Sequence, residues 1–224
     1  MRSKAICLYS GGLDSTTCLY FAKQAGYEVV ALTIHYGQLH HKEIEMTGKV
    51  CKILKIQQYQ THFELPWKGS ALLDSKIKIP KGRNEKQMAE AIPVTYVPAR
   101  NSIFLSLATS CAEAENAEAI FIGVNALDYS GYPDCRPDYI AAFEQLIKLG
   151  TKRGAEGGRT QIKTPLLHKT KKEIVELAYS LKVPLEWTWS CYQGDEKPCQ
   201  ECDSCLLRAK GFEEAGMRDP LTEG

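Results

Sequence analysis

The chain has 224 residues, 28 of them Lys or Arg and 27 Asp or Glu, for a formal net charge of +1. This length suits one compact domain with a sizeable core and a small appendage, and the balanced charge argues against a protein that grips a long stretch of nucleic acid, which needs a basic stripe. The first apolar run is too short for a signal peptide or a membrane span, so a cytoplasmic protein with no membrane contact is expected.

That run, Ala5-Ile6-Cys7-Leu8-Tyr9, has the length and flanks of a buried strand. Ser10-Gly11-Gly12-Leu13-Asp14-Ser15 follows, and Leu19, Phe21, Ala22 and Ala25 then recur with helical spacing until Gly26 supplies the stop. The stretch is a strand-to-helix turn. Gly11 and Gly12 permit positive φ and a close ligand approach. The turn amides and the helix N-terminus form a cradle for an anion, most readily phosphate. Ser10 and Ser15 add hydroxyl donors, and Asp14 is available to cap the helix or hold magnesium. The pattern lacks the G-x-x-x-x-G-K-[ST] of a Walker A loop and the G-x-G-x-x-G of a dinucleotide fold. SGGLDS instead resembles the PP-loop of the N-type ATP pyrophosphatases, which split ATP between the α and β phosphates and pass AMP to a carbonyl or carboxyl oxygen. The bland alternative is an ordinary Gly-rich turn.

Val29 to Ile34 reads as a second buried strand with His35-Tyr36-Gly37-Gln38 as its C-terminal loop, Lys42–Lys55 as a helix and Gln57–Phe63 as a third strand. This βαβαβ order implies a parallel sheet with right-handed crossovers, whose ligands sit beyond the carboxyl ends of the strands. Glu64 to Ile92 is irregular, broken by Pro66, Gly69, Pro80 and Gly82, and locally basic through Lys76, Lys78, Lys81, Arg83 and Lys86. A functional loop or lid, a solvated insertion and an oligomer contact all fit it. Val97-Pro98-Ala99-Arg100-Asn101 leads into a helix, Ser102–Glu115, and then a strand, Ala119–Val124, ending in Asn125-Ala126-Leu127-Asp128. A Gly- and Pro-containing loop covers Tyr129–Asp138, and a helix runs from Tyr139 to Leu149 with Pro137 suited to its first turn. Thr160–Leu167 is expected as the last strand and Lys171–Leu181 as a further helix. No repeat or low-complexity tract interrupts the chain.

Nine cysteines in a reducing compartment read as thiols and metal ligands rather than disulfides. Four of them form Cys191-x7-Cys199-x2-Cys202-x2-Cys205. Two thiolates a knuckle apart grip one ion, and four sulfurs with no open position describe a structural zinc site. An iron–sulfur cluster is the rival, but the ferredoxin-type run places a further cysteine and a proline downstream, where Leu206-Leu207 stand. Cys7, Cys18, Cys51 and Cys111 lie in apolar contexts and read as core. Cys135, between Asp134 and Arg136, reads as a ligand contact ahead of a nucleophile, because no histidine flanks it.

Beyond the PP-loop, YSGGLDSTT, VPARNSIFLS, GVNALDYSGYPDCRP, TPLLHKTKKEI and the four-cysteine tail stand in one order from about Ala5 to about Arg208. Together they resemble the 7-cyano-7-deazaguanine synthase family of queuosine and archaeosine biosynthesis. The resemblance implies a Rossmann-like parallel sheet with helices on both faces, of the adenine nucleotide alpha hydrolase type. Residues 1–185 would be the ATP pyrophosphatase domain and 186–224 the zinc-binding segment packed on it. It implies ATP, ammonia and 7-carboxy-7-deazaguanine as substrates and magnesium with ATP. Successive adenylation of carboxylate and amide would give the nitrile. A homodimer without direct nucleic-acid partners is also implied.

Carried onto this chain, Leu8, Tyr9, Ser10, Gly11, Gly12, Leu13, Asp14, Ser15, Thr16, Thr17 and Cys18 would bind ATP. Ser10, Asp14, Ser15 and Arg100 would be catalytic, with Arg100 pairing a phosphate or the substrate carboxylate. Lys163 and Lys171 are weaker candidates for phosphate contact, each alone more often a solvated lysine. Asp134, Cys135 and Arg136 would line the deazaguanine pocket. His35, His40 and His41 have no clear role. Two rivals stand beside this reading. One is a PP-loop enzyme that adenylates tRNA; the other is a zinc-containing nucleic-acid-binding module, which leaves SGGLDS unexplained.

Overall fold

The computed structural model describes residues 2–39, 41–127 and 132–222. Five parallel strands form one sheet among them: β1 (Lys4–Leu8), β2 (Glu28–His35), β3 (Gln57–His62), β4 (Ala119–Phe121) and β5 (Gln161–Lys163), in the order β3-β2-β1-β4-β5. The chain winds outward from β1 through β2 to β3, then returns to the other side of β1. The reversal between β1 and β4 opens a crevice at the carboxyl edge of the sheet.

Strand alternation sorts the core into two layers. Ala5 and Cys7 of β1 point to one face, where they join residues of α1 (Leu13–Gln24), α2 (Lys42–Leu54), α7 (Lys171–Ser180) and α8 (Asp203–Glu214). Ile6 and Leu8 point to the other, against α4 (Arg100–Ala114) and α5 (Pro137–Gly150). Both faces are therefore helix-covered, which is why β1 and β2 are apolar at nearly every position rather than alternating. No helix among the described residues is long and apolar enough to cross a membrane.

Several expectations shift. The strand expected over Ala119–Val124 pairs with β1 only as far as Phe121, because β1 ends at Leu8 and the chain turns into the glycine loop, so the ladder has no strand partner beyond that point on that side. The strand expected over Thr160–Leu167 stops at Lys163, before Pro165, which has no N–H for the ladder. Three α-helices among the described residues were not anticipated: α3 (Glu85–Ala89), α6 (Lys152–Ala155) and α8. Of these, α8 is the consequential one, since its Phe212 reaches the main core beside Ile174 and Val175 of α7.

The irregular segment 64–92 is strapped onto the molecule. Leu65, Leu72 and Leu73 pack with Tyr36 and Val97 in a cluster of their own. Farther along, Lys81 bridges Cys202, the Gly82 amide donates to the Glu201 carbonyl at 2.8 Å, and Arg83 Nε donates to Asp203 Oδ1 at 3.1 Å. Asn84 caps α3 in a reciprocal box with Gln87, and Glu85 pairs with Lys210 of α8. The strap thus lies across the cysteine segment.

Candidate active site

Sequence dictates the loop between β1 and α1 closely. Gly11 has φ of +92°, and a Cβ there would stand 2.1 Å from the Glu43 carbonyl oxygen, so only glycine lets the first turn of α2 close onto the loop. Gly12 differs from expectation: with φ −74° and ψ 163° it is the extended N-cap residue of α1, and Asp14 lies inside the helix rather than capping it. The Ser10 amide donates to Ser15 Oγ at 3.2 Å and the Gly12 amide to Ser10 Oγ at 3.3 Å, while the two hydroxyls lie 3.1 Å apart. Hydroxyls, turn amides and the positive end of α1 thus converge on one point. Gly123 makes a second close approach, since its Cβ would lie 3.0 Å from the Asp14 carbonyl. Replacing Gly11 with alanine combines strained φ with a backbone clash. We expect that variant to lose ~100-fold in ATP turnover through displacement of the loop, checked by steady-state kinetics beside circular dichroism.

A cavity of about 270 Å³ opens at this edge. Leu8, Tyr9, Ser10, Gly12, Leu13, Asp14 and Ser15 line it, as do Arg100, Lys171 and Cys135. Gly11 is turned toward α2. Thr16, Thr17 and Cys18 are fully buried behind the loop, where the two hydroxyls bond the Gly12 and Leu13 carbonyls at 2.7 and 2.8 Å. Lys163 ends β5 and is not among the lining residues.

Lys171, the first residue of α7, crosses to the loop. Its Nζ donates to both oxygens of Asp14, at 3.0 and 2.9 Å, with only 12% of its side chain exposed. The Thr170–Glu173 capping box fixes the start of α7, and Gly211 of α8 leaves room for the lysine stem, since a Cβ there would come 2.5 Å from Lys171 Cγ. Arg100 opens α4 after Ala99, which holds a left-handed φ of 51°. Its guanidinium donates to Tyr36 Oη at 3.2 Å and lies 5.6 Å from the ring centres of both Tyr36 and Phe104. The Tyr36 amide is in turn held by Gln38 Oε1 at 2.9 Å.

The Asp134-Cys135-Arg136 segment divides. Asp134 is buried, and its Oδ2 accepts the Asn101 amide at 3.0 Å, so its carboxylate serves the N-terminus of α4. Asn101 Nδ2 donates back to the Asp134 carbonyl at 3.0 Å and to Cys135 Sγ at 3.3 Å. Burial, reinforced by Asp134, pushes the Cys135 thiol up to about 12, so it stays protonated at neutral pH and lacks the thiolate a nucleophile needs. Arg136 is the exposed N-cap residue of α5. Tyr132 lines the cavity beside Cys135 and bonds Thr95 at 3.0 Å. His40, Asp128 and Tyr129–Gly131 lie outside the described residues, and His35 stacks loosely with His41 and His62 away from the lining.

The sulfurs of Cys191, Cys199, Cys202 and Cys205 all lie within 4.8 Å of one another. Backbone amides donate to sulfur: Gln193 and Cys199 to Cys191, and Cys202 to Cys199, each at 3.3 Å. Such bonds suit thiolates, and Cys202 additionally stands at the N-cap position of α8, beside its positive end. A soft divalent ion therefore fits the donor set. The knuckle touches the site through Trp189, which is packed among the cysteines, donates its indole N–H to the Cys191 carbonyl at 3.0 Å, and donates its amide to the Gly11 carbonyl at 3.0 Å.

Sequence reading missed Glu43. It stands in the first turn of α2 and lines the cavity between the loop and Arg100. Burial pushes its carboxyl up to about 7, against the opposing pull of Arg100 and of a Ser10 hydroxyl bond, with Asp14 adding to the rise. Its place after the C-terminal loop of β2 was the available signal.

A parallel sheet whose first strand delivers SGGLDS to the topological switch point defines a PP-loop protein of the adenine nucleotide alpha hydrolase type. In keeping with that, NMN synthetase from Francisella tularensis superposes with a TM-score of 0.52 at 16% identity, covering 97% of this chain and 79% of that one. The chain belongs to the QueC family: the model of "Queuosine biosynthesis protein QueC" matches residues 4–216. It is 52% identical over 220 residues to the 7-cyano-7-deazaguanine synthase of Trichodesmium erythraeum, covering 97% of this chain and 99% of that one. The synthase of the same name from Nostoc punctiforme is also 52% identical over 220 residues, covering 97% and 98%.

Proposed function

We propose that this chain makes 7-cyano-7-deazaguanine from 7-carboxy-7-deazaguanine, ammonia and ATP. The observation that carries the reading is the shared cavity, in which the SGGLDS loop faces Arg100, Tyr132 and Cys135, in a chain about half identical to synthases of that name along nearly its whole length.

A carboxylate has no leaving group for ammonia to displace, and adenylation supplies one. The substrate oxygen attacks the α-phosphorus and pyrophosphate departs toward the SGGLDS loop, where the Ser10 and Ser15 hydroxyls and the positive end of α1 stabilise the charge as it develops. Magnesium arrives with ATP as part of the substrate. Both oxygens of Asp14 already accept from Lys171, so Asp14 is read as the group that aims this lysine at the phosphates. Arg100, held beside the Tyr36 and Phe104 rings and bonded to Tyr36 Oη, presents a fixed fork to the phosphate or the substrate carboxylate. Leu8, Leu32, Ile34 and Val124 give the apolar wall for the adenine. Tyr132 and Cys135 form the wall for the deazaguanine, with Asp134 and Asn101 holding that segment against α4.

The ion in the knuckle is zinc on this reading. Four thiolates complete its shell, so it supplies rigidity rather than chemistry. Residues 1–185 act as the catalytic body and 186–224 as the metal-bound segment packed on it. A cytoplasmic setting keeps the ligand cysteines reduced, and a homodimer is the assembly that the family resemblance implies.

Pyrophosphate and AMP release from MgATP and ammonia, with and without 7-carboxy-7-deazaguanine, tests the function, with mass spectrometry following the base. Release that depends on the base, with a nitrile product, is the expected result. Release indifferent to the base moves the acceptor elsewhere, to tRNA first, and absence of cleavage between α and β phosphates overturns the reading.

A further inference from the structure

The reaction proposed above sheds protons, and the cavity must take them. When ammonia attacks the adenylated carboxyl carbon, a C–N bond forms, the bond to the AMP oxygen breaks, AMP leaves with the electron pair, and the former ammonia nitrogen gives up one proton. In the second round the amide oxygen attacks the α-phosphorus, pyrophosphate leaves, and the nitrogen loses a proton. The nitrile then forms as the second C–O bond breaks and the nitrogen loses its last proton. None of these steps is redox, and each proton needs an acceptor beside the reacting nitrogen.

Few groups in the cavity can act. Among the described lining residues the carboxylates are Asp14 and Glu43, and no histidine lines it. Both oxygens of Asp14 are bonded to Lys171. The thiol of Cys135 and the phenol of Tyr132 are raised by burial and hold their protons at neutral pH. Glu43 is placed differently. Its backbone is wedged against Gly11, and Oε1 lies 3.8 Å from the point where a Gly12 Cβ would stand. The Ser10 hydroxyl bonds its carboxyl, and Arg100 faces it from α4. The neighbouring Lys42 ammonium lies 5.8 Å from the Trp189 ring centre. The carboxyl therefore sits between the phosphate cradle and the arginine, where the activated carbon must lie if pyrophosphate leaves toward the loop.

We propose that Glu43 accepts the protons released from nitrogen during amide and nitrile formation. The burial that raises its carboxyl to about 7 makes it a stronger base than an exposed carboxylate and still lets it shed the proton to water between rounds. It is ionised above that pH and protonated below, so its contribution fades as the solution is acidified. The groups that face it and set this balance are Arg100, Asp14 and the Ser10 hydroxyl.

This inference rests on the proposed function, and the test separates the two. Forming the first adenylate releases no proton, so Glu43→Gln should retain pyrophosphate exchange into ATP, measured with the carboxylate substrate and no ammonia, within about twofold of wild type. Its rate of amide formation should fall by ~100-fold, the usual cost of losing a general base. Hydroxylamine, a weaker base than ammonia and uncharged at neutral pH, yields an intermediate acidic enough to deprotonate to water. Hydroxamate formation by the variant should therefore stay within about tenfold of wild type, a rescue that a merely structural role would not give. The wild-type amide rate should fall below pH 7 more steeply than the supply of free ammonia alone, and Glu43→Gln should follow the ammonia curve. Should Glu43→Gln misfold by circular dichroism, Glu43→Asp keeps a carboxylate set back by one methylene, and the same separation of exchange from amide formation is expected. Loss of exchange in step with amide formation would place Glu43 in phosphoryl transfer and overturn the proposal, as would amide formation at the wild-type rate. A wild-type protein that shows no exchange with this substrate would instead remove the functional reading and the proposal with it.

Discussion

Removing the metal from the four-cysteine knuckle, or replacing Cys202 with serine, is expected to abolish base-dependent pyrophosphate release and to lower the thermal midpoint of the whole protein. The expectation follows from what the knuckle holds. Cys202 is fully buried at the N-cap of α8, so four converging sulfurs without an ion leave either crowded thiolates or a repacked segment. Thiolate binding energy is folding energy, ~10 kcal/mol or more in small zinc-bound peptides, although a larger domain shares that load with its core. Loss of order then spreads by two routes. Trp189 releases the Gly11 carbonyl of the phosphate loop, and the strap at Lys81–Arg83 loses Cys202, Glu201 and Asp203 as its anchors. The buried Arg208–Asp219 pair, 2.7 Å apart, ties the same region to Thr188 and Ser190. Thermal unfolding with and without a strong chelator, metal content by mass spectrometry and turnover on one sample check the prediction. Cys111→Ser, outside the knuckle, serves as the control. A metal-free protein with unchanged midpoint and turnover would disprove it.

Lys171→Met is expected to raise KM for ATP by ~100-fold, in the range measured when one partner of a close, partly buried charge pair is removed, with the fold intact. The lysine is 12% exposed and its Asp14 partner 27%, so the pair is only partly screened. Without the ammonium, the Asp14 carboxylate faces the incoming phosphates uncompensated, and two negative groups meet where the loop is built for one. Adding Asp14→Asn should therefore recover part of the loss, making the double variant better than Lys171→Met alone. Steady-state kinetics of the two single variants and the double variant form a cycle that reads the coupling directly. Strict additivity of the two losses would show that lysine and aspartate act on ATP separately.

The features that could be read from the sequence were those written within one short window. The SGGLDS turn, its flanking strand and helix, the βαβαβ start and the cysteine knuckle each depend on neighbours within a few residues, through glycine dihedrals, apolar period or ligand spacing. Lys171 and Glu43 were different. The lysine meets Asp14 across 157 residues of chain, and alone it had the pattern of any solvated lysine at a helix start. Glu43 looked like one more acidic residue in a first helical turn until the glycine loop was seen folded against it.

By itself the sequence determined the parallel sheet, the phosphate loop, the four-cysteine knuckle and the family, because backbone propensity and local ligand geometry act at short range. Only the tertiary structure decided which charges pair inside the cavity, that the 64–92 strap lies on the knuckle, that Asp134 serves α4 while Cys135 faces the cavity, and that β4 and β5 stop early. Each of these depends on which distant surfaces come to exclude water together. Burial turns an ordinary carboxylate into a base and an ordinary lysine into half of an ion pair.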